Sequence, residues 1–156
     1  MPRKGLLPYM KILIISPGKT HDPLLKGAIA EYETRLRSSL PIEWAFPSIS
    51  DKEAEGQAIL KLVKPEDVVI LLDERGKDID SPGLASLIDS NLNEGTRRLV
   101  FIIGGAFGVS DAVIARAHKT LRLSALVFPH MLVRLILVEQ LYRAWSIRSG
   151  GKYHHV

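Results

Sequence analysis

The sequence predicts an α/β domain whose mostly parallel sheet is covered by helices on both faces. Three observations carry this reading. The strand candidates Lys11–Ser16, Val68–Leu72 and Arg98–Ile103 are nearly continuous apolar runs, without the alternation of a half-exposed strand. Helical segments lie between them, the order expected when crossover helices join parallel strands. Pro17-Gly18, Pro41, Pro65 and Gly104-Gly105 punctuate the units where elements should end.

A chain of 156 residues, 46% hydrophobic and 24% charged, can bury one core and has ordinary globular composition, so one domain is expected over residues 10–156. Residues 1–9 start basic but lack the apolar core and small-residue cleavage site of a signal peptide; they read as a non-native or disordered extension before Met10. Cysteine is absent, which excludes disulfides, thiolate catalysis and Cys-ligated zinc, and agrees with a cytoplasmic setting. No stretch reaches the roughly 18 apolar residues of a membrane span. No His or carboxylate set has metal-ligand spacing, so no metal is expected. The net charge of +4 favours an anionic partner such as RNA.

The elements follow in order. Lys11–Ser16 is the first strand, stopped by Pro17-Gly18. A helix follows from about Pro23 to Arg37, with Asp22 as N-cap and Leu24, Leu25, Ile29, Tyr32 and Leu36 near helical spacing. Ile42–Phe46 is the second strand. Ser50 with Glu53 three residues on forms a capping-box pattern for a helix to Lys64. Val68–Leu72 is the third strand and Ser81 caps a helix to about Leu92. Arg98–Ile103 is the fourth strand, Ser110 opens a short helix to His118, and Leu121–Leu123 is a brief fifth strand. The last helix, from about His130 to Ile147, is apolar nearly all round and is therefore buried or at an oligomer interface.

Ligands of open α/β sheets bind beyond the carboxyl ends of the strands, which directs attention to Leu72–Lys77, Gly104–Gly108 and Leu123–Pro129. Gly104-Gly105-Ala106-Phe107-Gly108 lets backbone approach a ligand closely. It is neither a G-x-G-x-x-G fingerprint nor a Walker A loop, which disfavours nucleoside triphosphates. Leu123–Phe128 is mostly apolar and could wall a pocket while its backbone bonds a purine edge. Glu139 and Arg143 are spaced for a helical ion pair, whereas Arg134 has no acid four residues away and is read as a contact to phosphate or to a partner subunit. Tyr153, His154 and His155 have rings that stack on bases or titrate near neutrality.

These residues together resemble the ribosomal RNA large subunit methyltransferase H family of the SPOUT class. The resemblance runs from Met10 to the end. Its carriers are Leu72–Lys77, Ile103–Gly108, Leu123-Ser124 with Phe128–Arg134, Glu139–Ala144, and Tyr153-His154-His155. Lys152 stands where the family tends to have proline. The resemblance implies a SPOUT-type α/β knot with a C-terminal trefoil, an obligate homodimer, and S-adenosylmethionine held by Leu72, Gly104, Gly105, Leu123, Ser124, Ala125, Leu126, Val127 and Phe128. It implies methyl transfer to N3 of a pseudouridine in 23S rRNA on the assembled ribosome. Arg143, Tyr153 and His154 are expected at the chemistry, with Arg134, Lys152 and His155 on the RNA. Two alternatives stay open: a SPOUT enzyme acting on another RNA position, and a non-catalytic ribosome-associated binding protein.

Overall fold

The computed structural model describes residues 10–105 and 108–154. Five strands, β1 (Lys11–Ile15), β2 (Ile42–Ala45), β3 (Val68–Asp78), β4 (Arg98–Ile103) and β5 (Lys119–Arg122), form one sheet in the order β2-β1-β4-β3-β5. Every pairing is parallel. The helices are α1 (Pro23–Leu36), α2 (Lys52–Lys61), α3 (Ser81–Asn93), α4 (Asp111–Arg116) and α5 (His130–Arg148). The predicted α/β class and element order are those observed.

The central strands are apolar throughout because each side of the sheet is covered. Ile12, Ile14, Ile70, Leu72, Leu99, Phe101 and Ile103 join α1, α3 and α5 in one core. Leu13, Ile15, Val69, Leu71, Val100 and Ile102 join Ile59 of α2 and Val113 of α4 in the other. Alternate residues of one strand thus serve opposite cores, which is why the runs show no polar face.

Helix starts differ from expectation at two places. Asp51, not Ser50, caps α2, its side chain accepting from Ala54 N at 2.9 Å. Asp80, not Ser81, caps α3, accepting from Gly83 N at 2.7 Å. In both, the carboxylate one position away outcompetes the neighbouring serine, because a charged acceptor bonds orphan N–H groups more strongly. Ser81 Oγ is thereby freed to donate to Gln140 Oε1 on α5 at 2.6 Å.

β3 is longer than the apolar run. Leu121 of β5 registers with both Leu72 and Lys77, so residues between them bulge outward while the strand resumes beyond. Gly76 makes the return feasible: a Cβ there would lie 2.7 Å from the Leu121 backbone. β5 itself spans Lys119–Arg122, earlier than the predicted Leu121–Leu123.

Candidate active site

The three loops converge as anticipated. At the carboxyl ends of β3 and β4 lies a cleft of about 620 Å3, within the range of small-molecule sites. Its lining includes Leu72, Gly104, Gly105, Leu123, Ser124, Leu126, Val127 and Phe128, which are the expected cofactor contacts with the exception of Ala125. Ala125 is exposed and is not among the residues that line the cleft. Ala106 and Phe107 lie outside the described residues.

The residues present fit an adenosyl ligand. Gly104 and Gly105 form a wall whose front is backbone. A Cβ on Gly104 would meet Val109 Cγ2 at 2.7 Å, and one on Gly105 would meet Glu55 Oε1 at 2.5 Å, so larger residues would displace their surroundings. Leu72, Leu123, Phe128 and Val133 offer apolar surface for a ring, and Leu126 and Val127 are large apolar side chains left 71% and 80% exposed at its rim. Asp73 also lines the cleft, but Arg75 occupies its carboxylate at 2.9 Å and, ahead of the opposing effect of burial, holds its pKa below the ordinary value.

The carboxyl-terminal tail folds back on α5 and builds a second cluster. Glu139 Oε2 accepts from Arg143 Nη2 at 2.6 Å and Nε at 3.1 Å, and from the Tyr153 hydroxyl at 2.9 Å. Tyr153 also meets Tyr32 of α1, oxygen to oxygen at 3.1 Å, and packs edge-on against Tyr142. Arg143 Nη1 lies 3.2 Å from His154 Nδ1. A guanidinium only donates, so Nδ1 is the acceptor and the ring proton sits on Nε2. Burial first, then the bonds with Tyr32 and Glu139, push the Tyr153 phenol well above its usual pKa. Arg143, Tyr153 and His154 are therefore brought together, with Glu139 as the hub. Sequence reasoning gave Glu139 a helical pairing with Arg143 and a place in the family-like run Glu139–Ala144 but no role in the site, and missed Tyr32, since a contact across 121 positions leaves no local pattern.

This cluster is not at the cleft of its own chain. His130, which lines the cleft, and Arg143 are separated by about 20 Å of helix at the usual rise. Lys152 is exposed and His155 lies outside the described residues.

Arg134 is placed against expectation. It is fully buried and donates to Ser16 Oγ at 2.8 Å and to Lys19 O at 2.9 Å, with its guanidinium 4.7 Å from the Phe46 ring centroid. It holds the β1–α1 loop and presents nothing to a phosphate. The physical reason is that loop carbonyls and a hydroxyl supply the acceptors that no acid on its helix provides. Burial lowers the pKa of His130 and of His21, and the Arg134 charge lowers both further, so both imidazoles stay neutral below the usual pH.

The model of a family described as predicted SPOUT methyltransferase matches residues 10–154. A protein of Trichlorobacter lovleyi named ribosomal RNA large subunit methyltransferase H is 42% identical, the match covering 94% of this chain and all of that one. A namesake from Parabacteroides distasonis is 38% identical, with coverage of 94% and 99%. Among solved structures, a probable methyltransferase of Bordetella pertussis superposes with a TM-score of 0.56 at 14% identity, covering 87% of this chain and 96% of that one, a likeness of fold. With its glycine-walled cleft in place and relatives this similar over nearly the whole chain, the protein belongs to the SPOUT methyltransferases, in the ribosomal RNA large subunit methyltransferase H family.

Proposed function

We propose that this protein transfers a methyl group from S-adenosylmethionine to N3 of a pseudouridine in 23S rRNA, acting in the cytoplasm on the assembled ribosome as a homodimer with a knotted carboxyl-terminal connection. The observation that carries the reading is the pairing of a glycine-walled cleft at β3 and β4 with a tail whose cation and imidazole are locked side by side. The names of the relatives support large-subunit rRNA as the substrate.

The cofactor, when bound, supplies an electrophilic methyl on a sulfonium; the cleft's part is to hold that methyl at one place and exclude water from it. The acceptor N3 must lose its imide proton as the new bond forms. Tyr153 is a poor base for this at neutral pH, since its environment favours the phenol. His154, accepting from Arg143 at Nδ1, offers an N–H rather than a lone pair. Arg143 and His154 are thus suited to stabilising negative charge on the uracil ring as the proton departs, the electrostatic contribution expected of preorganised donors.

The distance between tail and cleft within one chain favours a site shared between two copies. Leu132, Leu135 and Ile136 of α5 are only partly buried, leaving apolar surface for a second chain. Sedimentation at one-chain mass in the micromolar range would rule this out. Activity recovered on mixing a cleft-defective with a tail-defective variant would support it.

The test of function is transfer of labelled methyl from S-adenosylmethionine to ribosomes lacking the modification, followed by mass-spectrometric location. Label on N3 of a 23S pseudouridine is expected. Label on another nucleotide would reassign the substrate, and cofactor binding without transfer would leave a non-catalytic ribosome-associated protein.

A further inference from the structure

We propose that Glu55 is a charge-selective element of the cleft, favouring a cationic sulfonium ligand over the neutral thioether that remains after methyl transfer; this rests on the reading of the cleft as a site for S-adenosylmethionine. Glu55 is 5% exposed. Among the described residues its carboxylate accepts one long bond, from Ser50 N at 3.4 Å, and joins none of the ion pairs. A carboxylate so placed is costly unless something positive faces it. Its position in the first turn of α2 gives partial relief from the helix dipole.

The carboxylate lies beside the cleft, against Gly105. A Cβ on Gly105 would be 2.5 Å from Glu55 Oε1, so the carboxylate abuts a glycine that itself lines the cavity. Lys52, three residues earlier on the same helix face, lines the cavity itself. The other acids there are compensated: Asp73 is held by Arg75, and Glu74 is exposed to water. Methyl transfer breaks the sulfur–methyl bond, and its electron pair stays on sulfur, which becomes neutral. The methyl goes to the acceptor nitrogen, whose proton passes to solvent. A buried anion close by therefore distinguishes reactant from product without touching either, and eases exchange of one for the other.

Calorimetric titration of the ligand-free protein with S-adenosylmethionine, S-adenosylhomocysteine and sinefungin, which carries an amine at the sulfonium position, tests this. In Glu55→Gln the affinity ratio of either cationic ligand to the thioether is expected to fall by about 3- to 30-fold, while Glu55→Asp keeps most of it. Equal weakening of all three ligands would reduce Glu55 to a structural role and overturn the proposal. Should Glu55→Gln fail to fold, the parent decides: a preference resting on a buried charge persists in high salt, whereas one abolished by salt belongs to Glu74 and overturns the assignment to Glu55. A parent that binds none of the three would overturn the cofactor reading itself.

Discussion

Tyr153 donates its hydroxyl to Glu139 Oε2 at 2.9 Å, sharing that oxygen with Arg143. One carboxylate therefore fixes both the tail and the cation that the tail's histidine leans on. Glu139→Gln keeps the size but removes the charge. We expect methyl transfer to fall at least about tenfold and stability by about 1–2 kcal/mol, the partial exposure of the pair limiting the loss. Faster amide exchange over residues 150–154 would accompany it; an unchanged rate with a loosened tail would detach the cluster from catalysis.

Tyr153 should report on the same contacts at alkaline pH. Its folded pKa is raised from 10.0, so the phenol's contribution to stability is complete below the unfolded value and is lost as pH rises above it. Unfolding free energy is expected to decline above about pH 10, and Tyr153→Phe to decline less. Near neutrality the pH–rate profile of Tyr153→Phe should keep the parent's shape, because the group is a phenol throughout that range.

Arg134 tests whether a charge-preserving replacement can hold the β1–α1 loop. Its fork reaches Ser16 and Lys19 at once, which an ammonium cannot reproduce. Arg134→Lys is expected to lower stability by about 1.5–3 kcal/mol. The salt dependence of ribosome binding should remain that of the parent. A weaker salt dependence would return Arg134 to the RNA surface.

The sheet was legible because its strands are buried on both faces, and a short apolar run such as Val68–Leu72, bounded by charged residues, fits a doubly covered strand better than a helix. The cleft was legible for the related reason that strand order puts Gly104 and Leu72 at neighbouring carboxyl ends. Arg134 was not, since nothing in its own helix tells whether a guanidinium points to solvent or to a hydroxyl 118 positions away and a carbonyl 115 positions away. Glu55 was invisible for the same reason. Its partner surface is the backbone of Gly105, and backbone carries no sequence signal.

Asp67 and Arg98 couple β4 to the turn before β3, with Arg98 Nε donating to Asp67 Oδ1 at 3.0 Å and Lys64 N to Oδ2 at 2.7 Å. Burial alone would raise the Asp67 pKa, but these donors outweigh it and the net shift is downward. A depressed carboxylate stabilises above its unfolded pKa and loses that contribution as pH falls through the folded one. Asp67→Asn is therefore expected to destabilise most at neutral pH, with the gap to the parent narrowing below about pH 4. A constant gap in acid unfolding curves would mean that packing, not charge, is lost.

Gly105→Ala brings cleft and helix α2 into direct conflict. The added methyl would sit 2.5 Å from Glu55 Oε1 and 3.2 Å from its Cδ, and Glu55 is too buried to swing into water. Either the carboxylate or the glycine loop must move, at a cost of about 1–3 kcal/mol. Because Gly105 also walls the cleft, movement of the loop should weaken S-adenosylmethionine binding by about tenfold or more. Shortening the opposing side chain relieves the conflict, so Gly105→Ala with Glu55→Ala should be more stable than the sum of the two single changes predicts. Denaturant unfolding of all four proteins measures that coupling. If the two changes add within about 0.5 kcal/mol, the Glu55 carboxylate does not back Gly105 in solution.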